Sequence, residues 1–504
     1  MIKKIMLFVL CAIMGSAAIS QEAIPVTYGR PASNYSAQQA NQTIYLGEYG
    51  IYQCLVIPQV SSRGKEGDIE VVLSDGDMRV QRRCVLPNTK KMDLLSARLN
   101  DGIVAIVLVD RSNSKHVQVW QSLINLETMQ MVSSEDINHP LPVGLTEIFR
   151  ADISRKQKCY VWAPVSQNGT YGGLIAIVAN PDKDEYTTTE ICYDEHMNRT
   201  WEVSSPLGTV CRAAMTNNGS MYTLGYDVAD DGQTLFTVCE ITAAGASTYT
   251  FGGQMDHILD AEILNIEGGR LVAGGYTCSP KSPKKSDKCN GVFGLAFDIN
   301  EKALAGNISM RPFQNEDYCV LTNQSTKKNL KQEYLKQDIE TIGSVATNWG
   351  GAMAVGSYEI RRSLDADGIA TETRFCLGIH IFGVDRNGSI AWARNVRRND
   401  YQNLTTVYLN ALLLASGDKV GLYKCESPKF PTDYNITQPA KKLRMGAKNN
   451  LVFYTFSENG DVRKTILDKK QKLILLGHPY KKSDTTWWFL IGADNAVRSG
   501  EISF

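Results

Sequence analysis

Short apolar runs separated by tight polar turns recur along the chain. Two examples are GDIEVVLSDGDMRVQRRC (Gly67 to Cys84) and VFGLAFDINEKALAGNISM (Val292 to Met310), and each predicts a β-hairpin. The turns contain pairs such as Asp-Gly, Asn-Gly and Asn-Glu, which accept a positive φ or hydrogen-bond to their own backbone. Six further segments repeat the pattern, so eight hairpins are predicted. These six lie around Leu123 to Thr128, Val178 to Asp184, Ile241 to Ala246, Phe382 to Gly388, Phe456 to Gly460 and Ile491 to Asn495.

A second apolar run with a fixed ending accompanies four of the hairpins. In each case a glycine follows the apolar residues and a tyrosine lies shortly after it, which suits a bend or a close strand approach within a sheet. A third apolar run lies upstream and ends in Asn-Gly or Gly-Gly, as in CRAAMTNNG from Cys211. The repeating unit is therefore four antiparallel strands over about 50 to 60 residues, the pattern of a β-propeller blade. The four glycines are Gly225, Gly274, Gly356 and Gly477.

The predicted fold is all-β: a propeller of four-stranded antiparallel blades, eight in number, or seven if the first hairpin completes the last blade. Near-continuous apolar strands such as GIVAIVLVD (Gly102 to Asp110) fit this fold, because neighbouring blades cover both faces of an inner strand. A pair of β-sandwich domains and an irregular β-solenoid are the alternatives. One short helical insertion is predicted from Thr326 to Ile339, where apolar residues recur at helical spacing.

The two ends of the chain are predicted to close the ring. The C-terminal tail has three strand-like segments and lacks the first strand of its blade, which Ile24 to Tyr28 or Thr43 to Tyr49 can supply. Closure leaves only short exposed sheet edges. We therefore expect an N-terminal extension over 21–42 and a propeller domain over 43–504.

Two segments resemble turns of known propellers. DRNGSIAWARN (Asp385 to Asn395) is similar to the D-x-x-G-x-x-x-W turn and outer strand that wedge a tryptophan between blades, although it lacks the usual threonine. VADDGQTLF, from Val228, is similar to the aspartate-box turn of sialidase-type propellers, with valine and leucine in place of the usual serine and aromatic residue. The chain thus resembles β-propellers as an architecture from about Thr43 to Phe504. This resemblance implies no particular activity.

The N-terminus has the pattern of a cleaved signal peptide over 1–20. Two lysines precede an apolar run from Ile5 to Met14, and small residues follow up to Ser20 and Gln21, where cleavage is expected. The run is shorter than the roughly 20 residues that span a bilayer, so no membrane span is expected after cleavage. A short cleavage site of small residues followed by Gln resembles the cleavage sites of exported proteins of Gram-negative bacteria. The resemblance implies a periplasmic or secreted protein.

The charge balance argues against nucleic acid as a partner. The chain has 504 residues with 53 basic and 53 acidic side chains, and removal of Lys3 and Lys4 with the signal peptide leaves 51 basic against 53 acidic. A mature chain with a net charge of −2 has no bulk attraction for nucleic acid.

Eleven cysteines remain after cleavage, an odd number that cannot all pair within one chain. None forms a CxxC motif, and none lies near a histidine at a zinc-finger interval. The disulfide candidate is Cys278 with Cys289, which bracket a polar loop between two predicted strands. Two buried thiols are the alternative.

Catalytic motifs are sparse. The six histidines form no HExxH or HxH pattern, and GxSxG and P-loop motifs are absent. Three Asp-rich turns resemble calcium loops but lack the carboxylate at the twelfth position. They are SLDADG (Ser363 to Gly368), DVADDG (Asp227 to Gly232) and GVDRNG (Gly383 to Gly388). We therefore expect no cofactor and no metal site, and a binding or scaffold protein is favoured over an enzyme. The alternative is a glycoside hydrolase or polysaccharide lyase with Asp152 and Glu262 as acid and base at the centre of the ring.

Three long connections between second and third strands predict a binding face, because equivalent loops of a propeller project on one side. They are Cys278 to Cys289, Arg361 to Thr373 and Glu426 to Lys448. Together with the segment Lys481 to Asp484 they carry a charge of +6. An anionic glycan or a protein partner is therefore predicted, with solvated polar loops as the alternative. The candidate residues are Lys284, Lys285, Lys429, Phe430, Tyr434, Lys441, Lys442, Arg444, Lys481 and Lys482.

Three arginines precede strand-ending turns by similar distances: Arg98, Arg150 and Arg212. If all three strands line the centre of the ring, their guanidinium groups can converge on an anionic ligand through bidentate bonds. Pairing with Asp101, Asp152 or Glu262 is the structural alternative.

Overall fold

The structure, a computed structural model, describes residues 24, 26–28, 43–60, 66–113, 115–132, 145–154, 157–180, 185–194, 198–207, 209–228, 234–253, 257–278, 288–364, 370–403, 411–441, 443, 448–471, 473–493 and 496–504. Their strands form eight antiparallel sheets, which follow one another as the blades of a β-propeller. The all-β, eight-bladed prediction is confirmed. The seven-bladed count, the sandwich pair and the solenoid are wrong.

Each blade begins at its innermost strand. The first strands of neighbouring blades contact one another from blade 4 to blade 8, and from blade 8 through blade 1 to blade 2. Strand β1 (Val26–Tyr28) belongs to the last blade. The strands of blades 1 to 4 are, in order, β2 (Ile44–Tyr49), β3 (Tyr52–Val60), β4 (Glu66–Ser74), β5 (Val80–Leu86); β6 (Met92–Asn100), β7 (Ile103–Asp110), β8 (His116–Asn125), β9 (Gln130–Val132), β10 (Thr146–Asp152); β11 (Lys158–Trp162), β12 (Gly172–Asn180), β13 (Glu185–Tyr193), β14 (Arg199–Val203); and β15 (Arg212–Met215), β16 (Met221–Val228), β17 (Thr234–Thr242), β18 (Gly245–Gly253).

The one α-helix among the described residues, α1, lies between blades 5 and 6. Blades 2 and 5 each divide the outer position between two short strands. The elements of blades 5 to 8 are β19 (His257–Asn265), β20 (Arg270–Cys278), β21 (Cys289–Asp298), β22 (Ala303–Leu304), β23 (Ser309–Pro312); α1 (Asn315–Leu321); β24 (Asp338–Thr347), β25 (Gly350–Leu364), β26 (Ala370–Asp385), β27 (Ile390–Asn403); β28 (Ala411–Ser416), β29 (Lys419–Glu426), β30 (Asn449–Phe456), β31 (Val462–Gln471); and β32 (Leu473–Lys481), β33 (Thr486–Ala493), β34 (Ala496–Ser503).

An N-terminal strand completes blade 8. Strand β1 pairs with β34, with Val26 opposite Ile502 and Tyr28 opposite Gly500. The missing strand is therefore the fourth, outermost one, and the tail supplies the first three. Only residue 472 separates β31 from β32, so no other strand fits between them and β32 takes the innermost place.

The alternating strand directions give the ring two different ends. The turns between first and second and between third and fourth strands lie at one end, which we call the turn face. The connections between second and third strands, and those between blades, lie at the other end, which we call the loop face. Two long insertions belong to the loop face: 313–337, after blade 5, and 427–448, within blade 7.

The core lies between adjacent blades. Strands such as β21 and β28 are buried almost throughout, because each face packs on another sheet. Trp392, from the DRNGSIAWARN segment, stacks on Phe456 of blade 7 with ring centroids 5.6 Å apart. Gly460 has a φ of 75°, and a Cβ there would lie 2.6 Å from that of Trp392, so the close approach requires glycine.

The helix lies earlier in the insertion than predicted. Helix α1 spans Asn315–Leu321, and the Gln314 N–H donates to Asp317 Oδ2 at 2.7 Å at its start. The predicted span 326–339 forms turns and then enters β24. Leu335 is fully buried, and its N–H donates to the Cys289 carbonyl at 2.6 Å. The apolar residues thus anchor an irregular segment rather than one face of a helix.

Candidate functional site

The three candidate arginines do not share one site. Arg98 and Arg212 lie on the first strands of blades 2 and 4, but Arg150 lies on β10, the outer strand of blade 2. Its partner there is Asp152, at 3.5 Å, and both side chains are exposed. Asp152 is accordingly remote in the fold from Glu262, which lies on the innermost strand of blade 5. The predicted catalytic pair Asp152 and Glu262 is not brought together.

The side chain of Arg98, in blade 2, forms hydrogen bonds to blade 3. Its Nη1 donates to the Thr170 carbonyl at 2.6 Å and its Nη2 to the Asp194 carbonyl at 3.1 Å. Burial lowers the pKa of its guanidinium to about 10. Gly172 lies beside it, where a Cβ would approach the guanidinium carbon to 3.0 Å. Arg98 therefore stabilises the contact between two blades.

Arg212 lies in an ion cluster at the loop-face end of the inner strands. It contacts Asp260 at 3.1 Å and Glu262 at 2.8 Å, and the Tyr276 hydroxyl donates to Asp260 at 3.3 Å. The hydrogen bond to Glu262 is the main reason that the pKa of Arg212 is raised. Two carboxylates against one guanidinium leave little affinity for an added anion.

The predicted basic loops do not all project from one face. Lys481 and Lys482 lie at the turn face, since β32 is a first strand and ends there. Lys481 pairs with Asp484 at 3.0 Å, and Lys482 contacts Glu48 at 2.8 Å and Glu501 at 2.7 Å. These two lysines therefore do not extend the loop-face surface.

The strands that flank all three long connections end at the loop face. Most of 361–373 continues the ladder of β25 and β26 rather than forming a loop, with Arg361 opposite Thr373. Four candidates lie outside the described residues: Lys284, Lys285, Lys442 and Arg444.

The described parts of the two loop-face insertions pack on each other, and we call residues 313–337 with 427–441, 443 and 448 the loop platform. The Thr326 N–H donates to the Thr437 carbonyl at 3.2 Å. Asn323 and Ala440 form two bonds: the Ala440 N–H donates to Asn323 Oδ1 at 2.8 Å, and Asn323 Nδ2 donates to the Ala440 carbonyl at 3.2 Å. These contacts join residues 323–326 of the first insertion to residues 437–440 of the second.

The aromatic candidates of the platform point inward. The Tyr434 hydroxyl donates to the Asn395 carbonyl at 2.9 Å, and its ring packs edge-on against Tyr454. The Lys464 ammonium lies 4.8 Å from the centroid of the Phe430 ring. Phe430 and Tyr434 thus anchor the platform, while Lys429 and Lys441 are exposed.

A buried charge cluster lies under the platform. Glu426 accepts bonds from Lys464 at 2.6 Å, Lys424 at 3.1 Å and the Tyr454 hydroxyl at 2.5 Å. Burial alone would raise the pKa of Glu426, but the two lysines and the hydrogen bonds lower it. Sequence reasoning missed this cluster. The segment LYKCE (Leu422 to Glu426) could have indicated it, because Lys424 and Glu426 share one face of an otherwise apolar strand.

Arg397 links the cluster and the platform to blade 6, since Lys424 Nζ donates to its carbonyl at 2.6 Å. Arg397 is almost fully buried, and it donates to the Ile436 carbonyl at 2.9 Å and to the Cys319 carbonyl at 3.0 Å. Arg398 forms two bonds to Asp400, at 2.6 and 3.1 Å. Burial lowers the pKa of Arg397 to about 10. The platform backbone therefore provides acceptors for a buried cation.

The candidate cysteines face each other across the β20–β21 ladder, and both are buried. No two cysteines of the described chain lie at disulfide distance. Burial raises the pKa of the Cys289 thiol to about 12, so it is not a reactive thiolate.

A large cavity opens at the turn face. Its volume is about 710 Å³, and it is lined by turns and inner strands of blades 3, 5, 6, 7 and 8. Its lining includes Gln167, Asn265, Glu267, Ser344, Thr347, Asn348, Arg386, Ser416, Asp418, Lys419, Lys481, Asp484, Thr485 and Trp487. Sequence reasoning missed this site because its residues come from short segments of five blades that are far apart in the sequence.

Two kinds of feature are absent from the described residues. They contain no group of three or more His, Cys, Asp and Glu side chains arranged to hold a metal ion. They also contain no helix with the length and apolar character of a membrane span.

No protein-family model matches the chain, and no curated protein matches it. Solved structures of propellers are similar to it. The Dos1 propeller aligns over 95% of both chains, with 8% identity and a TM-score of 0.45. The β-propeller domain of the Trilobed protease from Pyrococcus furiosus aligns over 85% of this chain and 96% of that one, with 9% identity and a TM-score of 0.33. These similarities carry no information about the activity of this chain.

Proposed function

We propose that this propeller is an exported, non-catalytic binding or scaffold protein, and that its loop platform recognises an anionic partner. The interlocked platform is the observation that carries the proposal. Hydrogen bonds to Ile436, Thr437 and Ala440 hold the described part of this connection in place. A surface ordered before binding loses less conformational entropy when a partner arrives.

The charge of the platform indicates the sign of the partner. Segment 427–448 contains five basic residues and one acidic residue. The exposed ammonium groups of Lys429 and Lys441 form no ion pair with any described carboxylate. Since the cations beneath the platform are already bonded to protein acceptors, the exposed lysines are the groups that remain for a partner. An anionic glycan is the simplest such partner, and an acidic protein surface is the second.

The test is a triple charge reversal, Lys441→Glu with Lys442→Glu and Arg444→Glu. Isothermal titration with sulfated and uronic-acid oligosaccharides should show at least tenfold weaker binding than for the wild type. The matched control reverses Lys90, Lys91 and Arg111, which are exposed on the loop face of blades 1 and 2. Unchanged binding in the platform variant, or equal loss in the control, would contradict the proposal. Pull-down with acidic envelope proteins examines the second partner class.

Export is proposed from the N-terminal pattern. Cell fractionation should recover the protein outside the cytoplasm, and N-terminal sequencing of the mature chain should begin near Gln21. A mature protein that starts at Met1 in the cytoplasm would contradict export.

We also propose that Cys278 and Cys289, which are free and buried thiols in the structure, form a disulfide while the exported chain folds, before burial suppresses the Cys289 thiolate. The two electrons and two protons pass to a disulfide oxidant of the exported compartment. The two cysteines are directly opposed in the ladder, and opposed strand positions have Cα separations within the disulfide range. Mass spectrometry of a non-reduced digest should find the linked peptide, and quantitative alkylation of both thiols in the exported protein would exclude it.

A further inference from the structure

We infer that the turn-face cavity is a second binding site, for an uncharged oligosaccharide. The site is separate from the loop platform, because the two lie at opposite ends of the ring. Its volume of about 710 Å³ is within the range of roughly 300 to 1,000 Å³ that is usual for ligand pockets.

The rim of this cavity is fixed by bonds between the turns of successive blades. Asn217 of blade 4 accepts from the Asn168 N–H at 3.0 Å and donates to Glu267 at 2.9 Å. The Asn348 N–H of blade 6 donates to the Gly417 carbonyl at 3.0 Å. Neighbouring turns from blade 3 to blade 5 and from blade 6 to blade 7 are therefore tied together.

Two tryptophans add further ties on the same rim. The Trp349 indole N–H donates to the Asp418 carbonyl at 2.8 Å, and that of Trp487 donates to the Ala415 carbonyl at 2.6 Å. Trp487, which lines the cavity, thereby joins blade 8 to blade 7. A rim held in this way is preorganised for a ligand.

The charged groups of the lining balance one another and are largely bonded within the protein. Three acidic and three basic side chains reach the cavity. Lys481 pairs with Asp484 at 3.0 Å, and Arg386 Nε donates to the Asn348 carbonyl at 2.9 Å. The site therefore has no excess charge to attract an ionic ligand.

Neutral hydrogen-bonding groups remain for the ligand. Amides such as Gln167 and hydroxyls such as Ser344 and Thr485 line the cavity and are exposed. The Thr347 hydroxyl is buried and has no hydrogen-bond partner among the described residues. Many neutral donors and acceptors beside an indole ring suit a polyhydroxylated ligand, whose hydroxyls bond to the amides while its apolar ring face packs on the indole.

The test begins with an array of neutral oligosaccharides, followed by isothermal titration of the best ligand against the full chain. Ser344→Trp fills the cavity from blade 6 and should weaken binding at least tenfold. Thr485→Trp repeats the blockage from blade 8, in case the first variant is unstable. The control is Thr128→Trp, an exposed position in a turn of blade 2 on the same face, which should bind within twofold of the wild type.

A double variant examines the charge of the ligand. Asp418→Asn with Lys419→Gln removes one charge of each sign at the rim and should leave the affinity for a neutral sugar within threefold. If the ligand is charged instead, a zwitterionic tripeptide or an anionic sugar should bind to the wild type where the neutral sugar does not. That charged ligand should then bind more weakly to the double variant. Absence of saturable binding to the neutral array, or binding that neither tryptophan changes, would also overturn this inference. The platform charge reversal should leave this affinity unchanged, so the two proposals fail independently.

Discussion

Blade 7 and blade 3 each bury a glutamate, and the two carboxyl groups are in opposite environments. Glu426 of blade 7 is 5% exposed and accepts bonds from two lysines and a tyrosine. Glu190 of blade 3 is fully buried, and neither of its carboxylate oxygens has a hydrogen-bond partner in the described chain. The pKa of Glu426 is lowered by its lysines, whereas burial raises the pKa of Glu190 to about 7.

The donors near Glu190 are already used. The Thr188 hydroxyl donates to the Ser205 carbonyl, and the Ser205 N–H donates back to Thr188 Oγ1 at 3.1 Å. Thr188 and Ser205 lower the pKa of Glu190, but by less than burial raises it. At Glu426, by contrast, one lysine also donates to the platform, since Lys464 bonds to the Pro431 carbonyl at 2.7 Å.

This difference indicates what the insertions contribute. Blades 6 and 7 bury charges of both signs, and the platform supplies carbonyl acceptors for Arg397 and Lys464. A buried charge without partners favours its neutral form. In blade 3, no described residue donates a hydrogen bond to Glu190, so burial favours the neutral acid of this glutamate. The platform is thus part of the stability of blades 6 and 7 as well as a surface.

The largest effect is expected for Glu426→Gln. The substitution leaves Lys424 and Lys464 buried without a carboxylate, and loss of one partner of a buried ion pair costs about 3 to 5 kcal/mol. Urea unfolding should show a lower midpoint with an unchanged slope. Glu458→Gln, at an exposed turn of the same blade, should change the free energy of unfolding by less than about 0.5 kcal/mol. A loss below about 1 kcal/mol in the Glu426 variant would show that the cluster is not a stabilising network.

The next effect is expected for Glu190→Gln and depends on pH. Because the pKa of Glu190 is raised to about 7, the folded protein holds a proton that the unfolded chain releases near pH 4.5. Its contribution is therefore fully present below about pH 4.5 and is lost as the pH rises through 7. A neutral glutamine avoids this loss, so the variant should be more stable than the wild type by up to about 3 kcal/mol at pH 8.5.

The comparison needs unfolding curves at pH 5 and pH 8.5 for both proteins. The advantage of Glu190→Gln should shrink toward zero at the lower pH. Glu202→Gln, on the exposed edge strand of the same blade, should show no such trend. An advantage that is equal at both pH values would mean that Glu190 does not titrate in this range.

The hairpin repeats were sufficient to predict eight blades, because each hairpin is local and its turn residues are adjacent in sequence. The position of a strand within its blade was harder to predict. Blade 2 divides its outer edge between β9 and β10, so the segment with Arg150 looks like the start of a new blade. In the same way, Leu473 to Tyr480 resembles the second strands of earlier blades, although it is a first strand. For these reasons Arg150 was predicted on an inner strand, and Lys481 and Lys482 were predicted at the loop face.

The platform and its charge cluster could not be predicted, since they depend on contacts between distant segments. Asn323 and Ala440 are 117 residues apart, and Glu426 and Lys464 are 38 residues apart. Lysine and glutamate within a strand also fit an exposed face, which is the usual interpretation of such residues. Only the packing of blade 7 against blade 6 and the two insertions places these charges inside.

The smallest effect is expected for Lys482→Met, which provides an exposed counterpart to the blade 7 cluster. Lys482 also joins two carboxylates, Glu48 of blade 1 and Glu501 of blade 8, at distances similar to those around Glu426. Its side chain is 27% exposed, however, so water and salt compete for the same charges. We expect a loss of about 0 to 1 kcal/mol, measured by urea unfolding at low salt, that disappears in 1 M salt. A loss as large as that of Glu426→Gln would mean that partner number, and not burial, determines the strength of these ion pairs. It would also mean that this lysine is a main contact between the first and last blades.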